Sequence, residues 1–176
     1  MIPVPVDEES FRELFRSLPS VVAVVSTTGH QGKQLGLTCN AVTAVSLLPP
    51  LLSVCIDRRS DTLSGITVSG GFAVNFLAAG RAEISQRFAS DREDKFAGLP
   101  HFLSPFARHA PVLTEGVSAV VECRVHDTVE AGDHRLVLGH VERCTIHAHR
   151  PLTYFNRQYD TWPGPQRQAP DRVGHP

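Results

Sequence analysis

The sequence predicts a mainly β protein, an antiparallel β-barrel with a few short flanking helices. Six or seven stretches rich in β-branched residues follow one another with hairpin-type links, and only two or three short segments have helical periodicity. The strands do not alternate with long helices, as they do in a doubly wound parallel sheet. The chain also lacks the G-x-G-x-x-G and G-x-x-x-x-G-K-[ST] motifs. The usual dinucleotide and P-loop routes to phosphate binding are therefore excluded.

Length and composition indicate one packed domain. The 176 residues are 41% hydrophobic and 20% charged, and 17 Lys+Arg against 18 Asp+Glu give a net charge of -1. That balance argues against a dedicated nucleic-acid binder. No apolar run approaches the ~20 residues of a membrane span, and the N-terminus lacks a secretory pattern. We expect a soluble, cytoplasmic protein with one domain over 1–162 and a disordered Pro/Gly-rich tail over 163–176.

The first half of the chain alternates short helices with strands. Residues 7–18 form an amphipathic helix, because apolar residues from Phe11 to Leu18 recur at helical spacing and Pro19 ends the run. Further short helices are predicted at 60–70 and 81–90. Strands are predicted at 21–28, 51–57 and 72–78. The segment 35–47 between the first two is too polar and too rich in small residues for an ordinary core strand.

The second half contains the two longest predicted strands. Residues 117–131 and 134–148 are rich in valine, and Gly132-Asp133 between them supplies turn chemistry. Charge, glycine and proline dominate 91–111, which predicts a long surface excursion with little regular structure.

The cysteines and histidines do not predict a metal site. The four cysteines are far apart, and Cys55 and Cys123 lie in apolar strands, where a thiol behaves as a small hydrophobe. His147 and His149 share one face of a strand and could hold a metal. No third ligand accompanies them, so a solvated strand end is the favoured interpretation and we expect no metal.

Two stretches near the middle of the chain carry polar groups that suit ligand binding. Residues 36–46 combine hydroxyls, an amide and small side chains, which let a flat ligand approach the backbone. A polar edge strand accounts for them equally well. Residues 57–62 place Arg58 and Arg59 beside a helix N-terminus, an arrangement that suits a phosphate. Taken alone, an ordinary helix cap with solvated arginines is the better interpretation.

Two later stretches add a histidine and an aromatic cluster. His134 follows the turn between the two longest strands, where it could bond a substrate amide or donate a proton near neutral pH. Taken alone, an exposed turn histidine is favoured. Residues 151–159 include Tyr154, Phe155 and Tyr159, which either wall a stacked-ring pocket or close the barrel.

Together, and in this order, the four stretches resemble the flavin reductase family with the FMN-binding split-barrel fold, a Greek-key antiparallel barrel. More narrowly, the chain resembles the reductase component of two-component flavin-dependent monooxygenases. The resemblance covers residues 10–160 and is carried by VVAVVSTT, GLTCNAVTAVSLLPPLLSVCID, GGFAVNFLA, RFAS, GDHRLVLGHV and PLTYFNRQY. The chain departs from the family pattern at residues 20–22, at Leu37, where methionine is common, and at Asn156, where glycine is common.

The resemblance implies an enzyme that binds FMN or FAD, reduces it with NADH or NADPH, and releases reduced flavin to a separate monooxygenase by diffusion. NADH is favoured, and a homodimer is expected. The choices between FMN and FAD and between NADH and NADPH stay open. Arg87, Arg92 and Lys95 could meet a 2′-phosphate, although each is more simply a solvated charge. The alternative function is a non-catalytic flavin carrier, and a split-barrel oxidase with its own small substrate is weaker.

The resemblance also implies roles for individual residues. The residues facing the isoalloxazine ring and ribityl chain would be Thr38, Cys39, Asn40, Ala41 and Ser46. The ribityl and phosphate end would be served by Asp57, Ser60 and Thr62, with charge from Arg58 or Arg59. Ala78 and the helix 81–88, including Phe88, would close over the other end of the flavin. His134 would border the nicotinamide with Tyr154 and Arg157, as a positioning group.

Overall fold

The computed structural model describes residues 5–162 of the chain. These residues contain three α-helices and twelve strands. The predicted tail at 163–176 lies outside these residues. The helices are α1 (Glu8–Arg16), α2 (Asp61–Ser69) and α3 (Ala82–Ala89). The strands are β1 (Ser20–Val21), β2 (Ala23–Thr28), β3 (Gln34–Cys39), β4 (Val42–Leu47), β5 (Pro50–Asp57), β6 (Gly71–Leu77), β7 (His101–Leu103), β8 (Pro111–Leu113), β9 (Val117–Ala131), β10 (His134–Ile146), β11 (Leu152–Phe155) and β12 (Gln158–Thr161).

One large sheet organises the fold. Its seven strands run in the order β3-β2-β6-β9-β10-β5-β4, and every neighbouring pair is antiparallel. A three-stranded sheet, β1-β11-β12, and a two-stranded sheet, β7-β8, lie beside it. The predicted mainly β, antiparallel class is confirmed. Within the described residues, no helix combines the length and the apolar character needed to cross a bilayer.

The large sheet closes on itself because its two edge strands are consecutive in the chain. β3 and β4 lie at opposite edges, yet only Asn40 and Ala41 connect them. Three Cα–Cα steps span at most about 11 Å, so the sheet must curl until its edges meet. Across this closure the Cys39 thiol on β3 donates to the Cys55 carbonyl on β5 at 3.7 Å. The polar segment 35–47 therefore forms the greater part of β3 and the whole of β4, which lie on either side of the barrel's seam.

Alternating residues of the large sheet pack into two separate apolar clusters. Val25, Val74 and Val137 belong to one cluster, to which α2 contributes Leu63 and Ile66. The neighbouring residue on β2, Val24, belongs to the second cluster, which includes residues of α3 and of the 96–113 segment. Since successive residues of a strand face opposite sides, both faces of β2 are buried, and α2 and α3 are fixed to opposite faces.

The prediction of an irregular surface excursion over 91–111 is wrong in part. The segment contains β7 and the start of β8, and Phe96, Ala107 and Ala110 are fully or nearly fully buried. Apolar residues occur singly here among charged ones, so no periodic pattern reveals that they reach the core.

The C-terminal aromatic stretch forms the β11–β12 hairpin, which pairs with β1. Its two-residue turn places Asn156 and Arg157 at φ 47° and 64°. Asparagine tolerates this left-handed conformation better than most residues, which accounts for Asn156 where the resembled family often has glycine.

A buried asparagine links three strands at the centre of the fold. Asn75 on β6 is fully buried, and its Nδ2 donates to the Val24 carbonyl at 3.1 Å and to Ser26 Oγ at 3.0 Å. Its Oδ1 accepts the backbone N–H of Leu113 at 2.9 Å. The side chain therefore ties β8 to β2 and β6.

We predict that Asn75→Ala lowers the free energy of unfolding by about 3 kcal/mol, because it leaves the buried Leu113 N–H without an acceptor. Urea unfolding measures the change. His126→Ala, an exposed change on β9, serves as the control and should shift stability by less than about 0.5 kcal/mol. Equal stability of the two variants would contradict the role of this network.

Candidate functional site

A cavity of about 520 Å³ lies between the N-terminus of α2 and strand β3. One wall runs from Lys33 along β3 to Leu37, and a second consists of residues 59–62. The segment after α3, residues 90–95, forms the third wall. The residues predicted for a site that line this cavity are Arg59, Ser60, Thr62, Arg92 and Lys95. Arg58 lines a different cavity.

The N-terminus of α2 gives the cavity an anion-binding end. Ser60 caps the helix, and its Oγ accepts the backbone N–H of Thr62 at 3.2 Å. The first turn of a helix presents unpaired N–H groups and a positive dipole end, which favour a phosphate. Lys33, Arg59, Arg92 and Lys95 add positive charge, opposed by Asp61, Asp91 and Glu93.

The junction between β5 and α2 brings several predicted residues together. Asp57 binds the Arg59 guanidinium through both carboxylate oxygens, at 3.2 and 2.9 Å, and its Oδ1 also accepts the Arg59 backbone N–H at 2.8 Å. These bonds hold the pKa of the Asp57 carboxyl far below its usual range. The backbone N–H of Ser60 donates to the Asp57 carbonyl at 3.0 Å. The Asp57 loop therefore fixes where α2 begins.

His134 lies at the same junction, directly opposite Asp57 in the β5–β10 pairing. Its Nδ1 is 2.8 Å from Asp133 Oδ1, and its side chain is 43% exposed. The contact with His134 lowers the pKa of Asp133. The backbone N–H of Arg58 donates to the Asp133 carbonyl at 3.1 Å, which ties the β9–β10 turn to α2. Asp133 thus orients the imidazole and leaves Nε2 for a ligand.

A second group of predicted residues gathers at the other end of β3. Thr38 Oγ1 donates to the Ser85 carbonyl on α3 at 2.5 Å, and Ser85 Oγ lies 3.0 Å from the Tyr159 hydroxyl. The Tyr154 and Tyr159 rings are in contact, with centroids 5.0 Å apart. This chain of contacts links β3, α3 and the β11–β12 hairpin.

Asn40 reaches the same hairpin through β1. Its Nδ2 donates to Ser20 Oγ at 3.3 Å, and the Ser20 hydroxyl donates to the Tyr154 carbonyl at 3.4 Å. Within the described residues no hydrogen bond or ring contact joins His134 to Tyr154 or Arg157. The three residues predicted to border one ring therefore belong to two groups in a single protomer.

Three predicted residues have side chains in the core. Cys39, Ala78 and Phe88 are 6%, 6% and 1% exposed. Burial raises the pKa of the Cys39 thiol to about 11, so it stays protonated at neutral pH. A contact between Cys39 or Ala78 and a ligand must therefore come from the backbone.

Phe88 is buried because it packs on a glycine of β3. A Cβ built at Gly36 would lie 2.8 Å from Phe88 Cε1, so only glycine admits this ring. Of the remaining predicted residues, Ala41 and Arg157 are exposed in the two connections described above, and Ser46 is half-buried on β4.

Sequence reasoning missed the role of the segment after α3. Lys95 Nζ donates to the Phe88 carbonyl at 3.0 Å and to the Gly36 carbonyl at 3.3 Å, and burial lowers its pKa. Lys95 is therefore not simply a solvated charge, because it ties the segment to both α3 and β3. The charged run DREDK directly after the predicted helix was the available signal.

Within the described residues, no group of three or more His, Cys, Asp and Glu side chains has the geometry to hold a metal ion. The rings of His147 and His149 lie 6.5 Å apart.

We predict that Arg59→Gln returns the pKa of Asp57 part of the way towards its ordinary value of 3.8, because the variant removes the side-chain hydrogen bonds that stabilise the ionised form and keeps the backbone N–H bond. Carboxyl-carbon NMR titration measures it, and the native Asp57 should remain ionised at pH 3. Asp133 is the internal control, since His134 is the main cause of its lowered pKa. An Asp57 titration that Arg59→Gln leaves unchanged would contradict this assignment.

Residues 15–163 match the family described as "Flavin reductase like domain". The chain is 40% identical over 167 residues to the flavin reductase (NADH) of Kitasatospora aureofaciens, covering 93% of this chain and 86% of that protein. It is 31% identical over 155 residues to the reductase component of the 4-nitrophenol 4-monooxygenase/4-nitrocatechol 2-monooxygenase of Rhodococcus opacus, covering 88% and 81%.

Solved structures agree with these matches. Nitrilotriacetate monooxygenase component B of Mycobacterium thermoresistibile superposes with a TM-score of 0.83 at 30% identity, covering 96% of each chain. The barrel closed at Asn40 and Ala41 is thus the predicted split barrel. By sequence and by structure, this chain belongs to the flavin reductase-like domain family.

Proposed function

We propose that the protein is an NAD(P)H:flavin oxidoreductase that binds FMN or FAD along β3 and supplies reduced flavin to a partner monooxygenase. The observation that carries this placement is the cavity that joins the N-terminus of α2 to the β3 strand. Relatives with flavin reductase and monooxygenase reductase names support the activity. NADH is the favoured donor, because the relative that is 40% identical is a flavin reductase (NADH).

The residues present fit a flavin. The phosphate lies at the N-terminus of α2, where Ser60 caps the helix and Lys33 and Arg59 supply positive charge. The ribityl chain and the ring extend along β3 towards Thr38 and Asn40. Backbone groups of the Asn40–Ala41 link form hydrogen bonds with the polar edge of the ring. The Cys39 side chain cannot do so, because it faces the core. When bound, the flavin supplies hydride-accepting chemistry.

The protein contributes positioning rather than a nucleophile. In one protomer His134 lies at the β5–α2 junction, which is the phosphate end of the proposed flavin. We therefore assign His134, oriented by Asp133, to the nicotinamide amide that meets the flavin ring of the other protomer. The Tyr154 and Tyr159 rings close the other end of β3. Correct alignment of donor and acceptor supplies most of the acceleration in such a reaction.

Two exposed apolar surfaces support a homodimer. Helix α1 buries none of its residues, and its apolar face exposes 53% of Phe11 and 57% of Phe15. At the β4–β5 tip, Leu47 and Leu48 are 89% and 93% exposed. A second copy of the chain covers these surfaces and brings another protomer's residues towards the ring. Sedimentation at twice the mass of one chain is expected, and a monomer at assay concentration would contradict the dimer.

The reduced flavin leaves by diffusion. The cations around the cavity are opposed by three carboxylates, and the cavity is open, so flavin affinity is moderate. The protein acts in the cytoplasm, which the free thiols of the described cysteines support, because disulfides are rare there. A flavin that stays bound to the protein through turnover and gel filtration would contradict release of the reduced flavin.

The test of the activity is NADH oxidation followed at the nicotinamide absorbance band, with FMN or FAD added in excess over the protein. We expect NADH loss that requires both protein and free flavin. Repeating the assay with NADPH decides the donor. Saturable flavin binding without NADH loss would instead support the non-catalytic carrier.

His134→Ala should raise the KM for NADH by about 3- to 10-fold with a smaller change in kcat, because one hydrogen bond to the bound nicotinamide is lost. FMN affinity in the absence of NADH is the control and should stay the same. Steady-state kinetics at saturating FMN separate the two constants. An unchanged KM and turnover would remove His134 from the site.

A further inference from the structure

A second cavity, of about 570 Å³, lies between α3, the residues directly before β7, and the end of β8 with the turn that follows it. Its lining on α3 includes Ile84 and Arg87, and its opposite side includes Leu113 and Glu115. Other residues of α3 contact strand β3, because the Ser85 carbonyl accepts the Thr38 hydroxyl and the Phe88 ring packs at Gly36, a residue of the first cavity. The same helix therefore lines the second cavity and packs on one wall of the first.

The floor of the second cavity is apolar and fixed. Ile84 and Leu113 are 6% and 2% exposed, and the half-buried Leu99 lies beside them. Such a floor binds the flat aromatic or aliphatic part of a ligand, because burial of apolar surface is favourable there.

The rim carries guanidinium groups that have no carboxylate partner. Within residues 5–162, neither Arg87 nor Arg92 makes an ion pair, whereas the third arginine of the cavity, Arg81, lies 3.5 Å from Glu83. A guanidinium binds a carboxylate through two parallel N–H groups. Two such groups over an apolar floor select an organic anion rather than a neutral ligand.

Glu115 sets the orientation of that anion. Its carboxylate lines the cavity and repels a second carboxylate, but it accepts a hydrogen bond from a hydroxyl group. A ligand with a carboxylate at one end of an aromatic ring and a hydroxyl at the other binds the guanidinium groups with the first and Glu115 with the second.

Arg92 lines both cavities. It belongs to the 90–95 segment, which Lys95 ties to β3 and α3. A ligand that holds the Arg92 guanidinium in one cavity changes the charge available in the other.

We propose that the second cavity is an effector site for a small aromatic hydroxy acid, whose carboxylate binds Arg87 and Arg92. The occupied site changes the flavin affinity of the first cavity. Binding of the acid is independent of the flavin, whereas the coupling rests on the flavin position proposed above.

Calorimetric titration of flavin-free protein with 4-hydroxybenzoate tests the binding. We expect a dissociation constant on the order of 0.1–1 mM, with 4-hydroxybenzamide, which lacks the charge, at least tenfold weaker. Arg87→Gln should weaken the acid at least tenfold. Arg12→Gln, which removes an exposed guanidinium from α1, is the matched control and should leave the affinity unchanged.

Adenosine 5′-phosphate is the competing probe, since it also joins an aromatic body to an anion. Binding of adenosine 5′-phosphate alone, no binding of 4-hydroxybenzoate, or binding that Arg87→Gln does not weaken would each overturn the proposed site.

The coupling is measured by titrating FMN with and without saturating 4-hydroxybenzoate. We expect the FMN dissociation constant to change at least threefold, and the affinity for the acid to change by the same factor when FMN is saturating. Acid binding with an unchanged FMN affinity would overturn the coupling. Failure of the protein to bind FMN at all would instead overturn the proposed function.

Discussion

The two-residue link between β3 and β4 is the constraint on which the site depends. Because Asn40 and Ala41 join strands from opposite edges of one sheet, the sheet has to close, and β3 comes to lie beside β5, where the Cys39 thiol contacts the Cys55 carbonyl. That closure places the start of β3 near the N-terminus of α2, which follows β5 directly. The N-terminus of α2 and a strand with an accessible backbone thus become two walls of one cavity.

The packing of both helices follows from the closed barrel. Glycine at position 36 lets the Phe88 ring sit against β3, which brings α3 close enough for Thr38 to bond the Ser85 carbonyl. Lys95 then joins the segment after α3 to the same two elements. Among residues 5–162 Arg87 has no carboxylate in an ion pair with it, which leaves its guanidinium available for the ligand proposed above.

Local patterns in the sequence were enough to predict the class, the hairpins and the cap of α2. The long valine-rich strands depend on neighbours in the chain, so local patterns predict them. The sequence allows either Ser60 or Asp61 as the cap of α2, and the structure has Ser60 there. The burial of Phe88 depends on a glycine fifty-two positions earlier, and the buried residues of 91–111 occur singly, so no local pattern reveals either. His134 and Tyr154 are separated because the β9–β10 hairpin belongs to the seven-stranded sheet and the β11–β12 hairpin to the three-stranded one, which no local pattern reveals either.

The position of the flavin is tested most directly by backbone amide chemical shifts during an FMN titration. The account predicts that the largest changes fall on residues 34–41 and 60–62, with changes at His134 only after a nicotinamide is added. Changes concentrated on Ile84, Leu113 and Gly116, around the second cavity, with none at the N-terminus of α2, would contradict it.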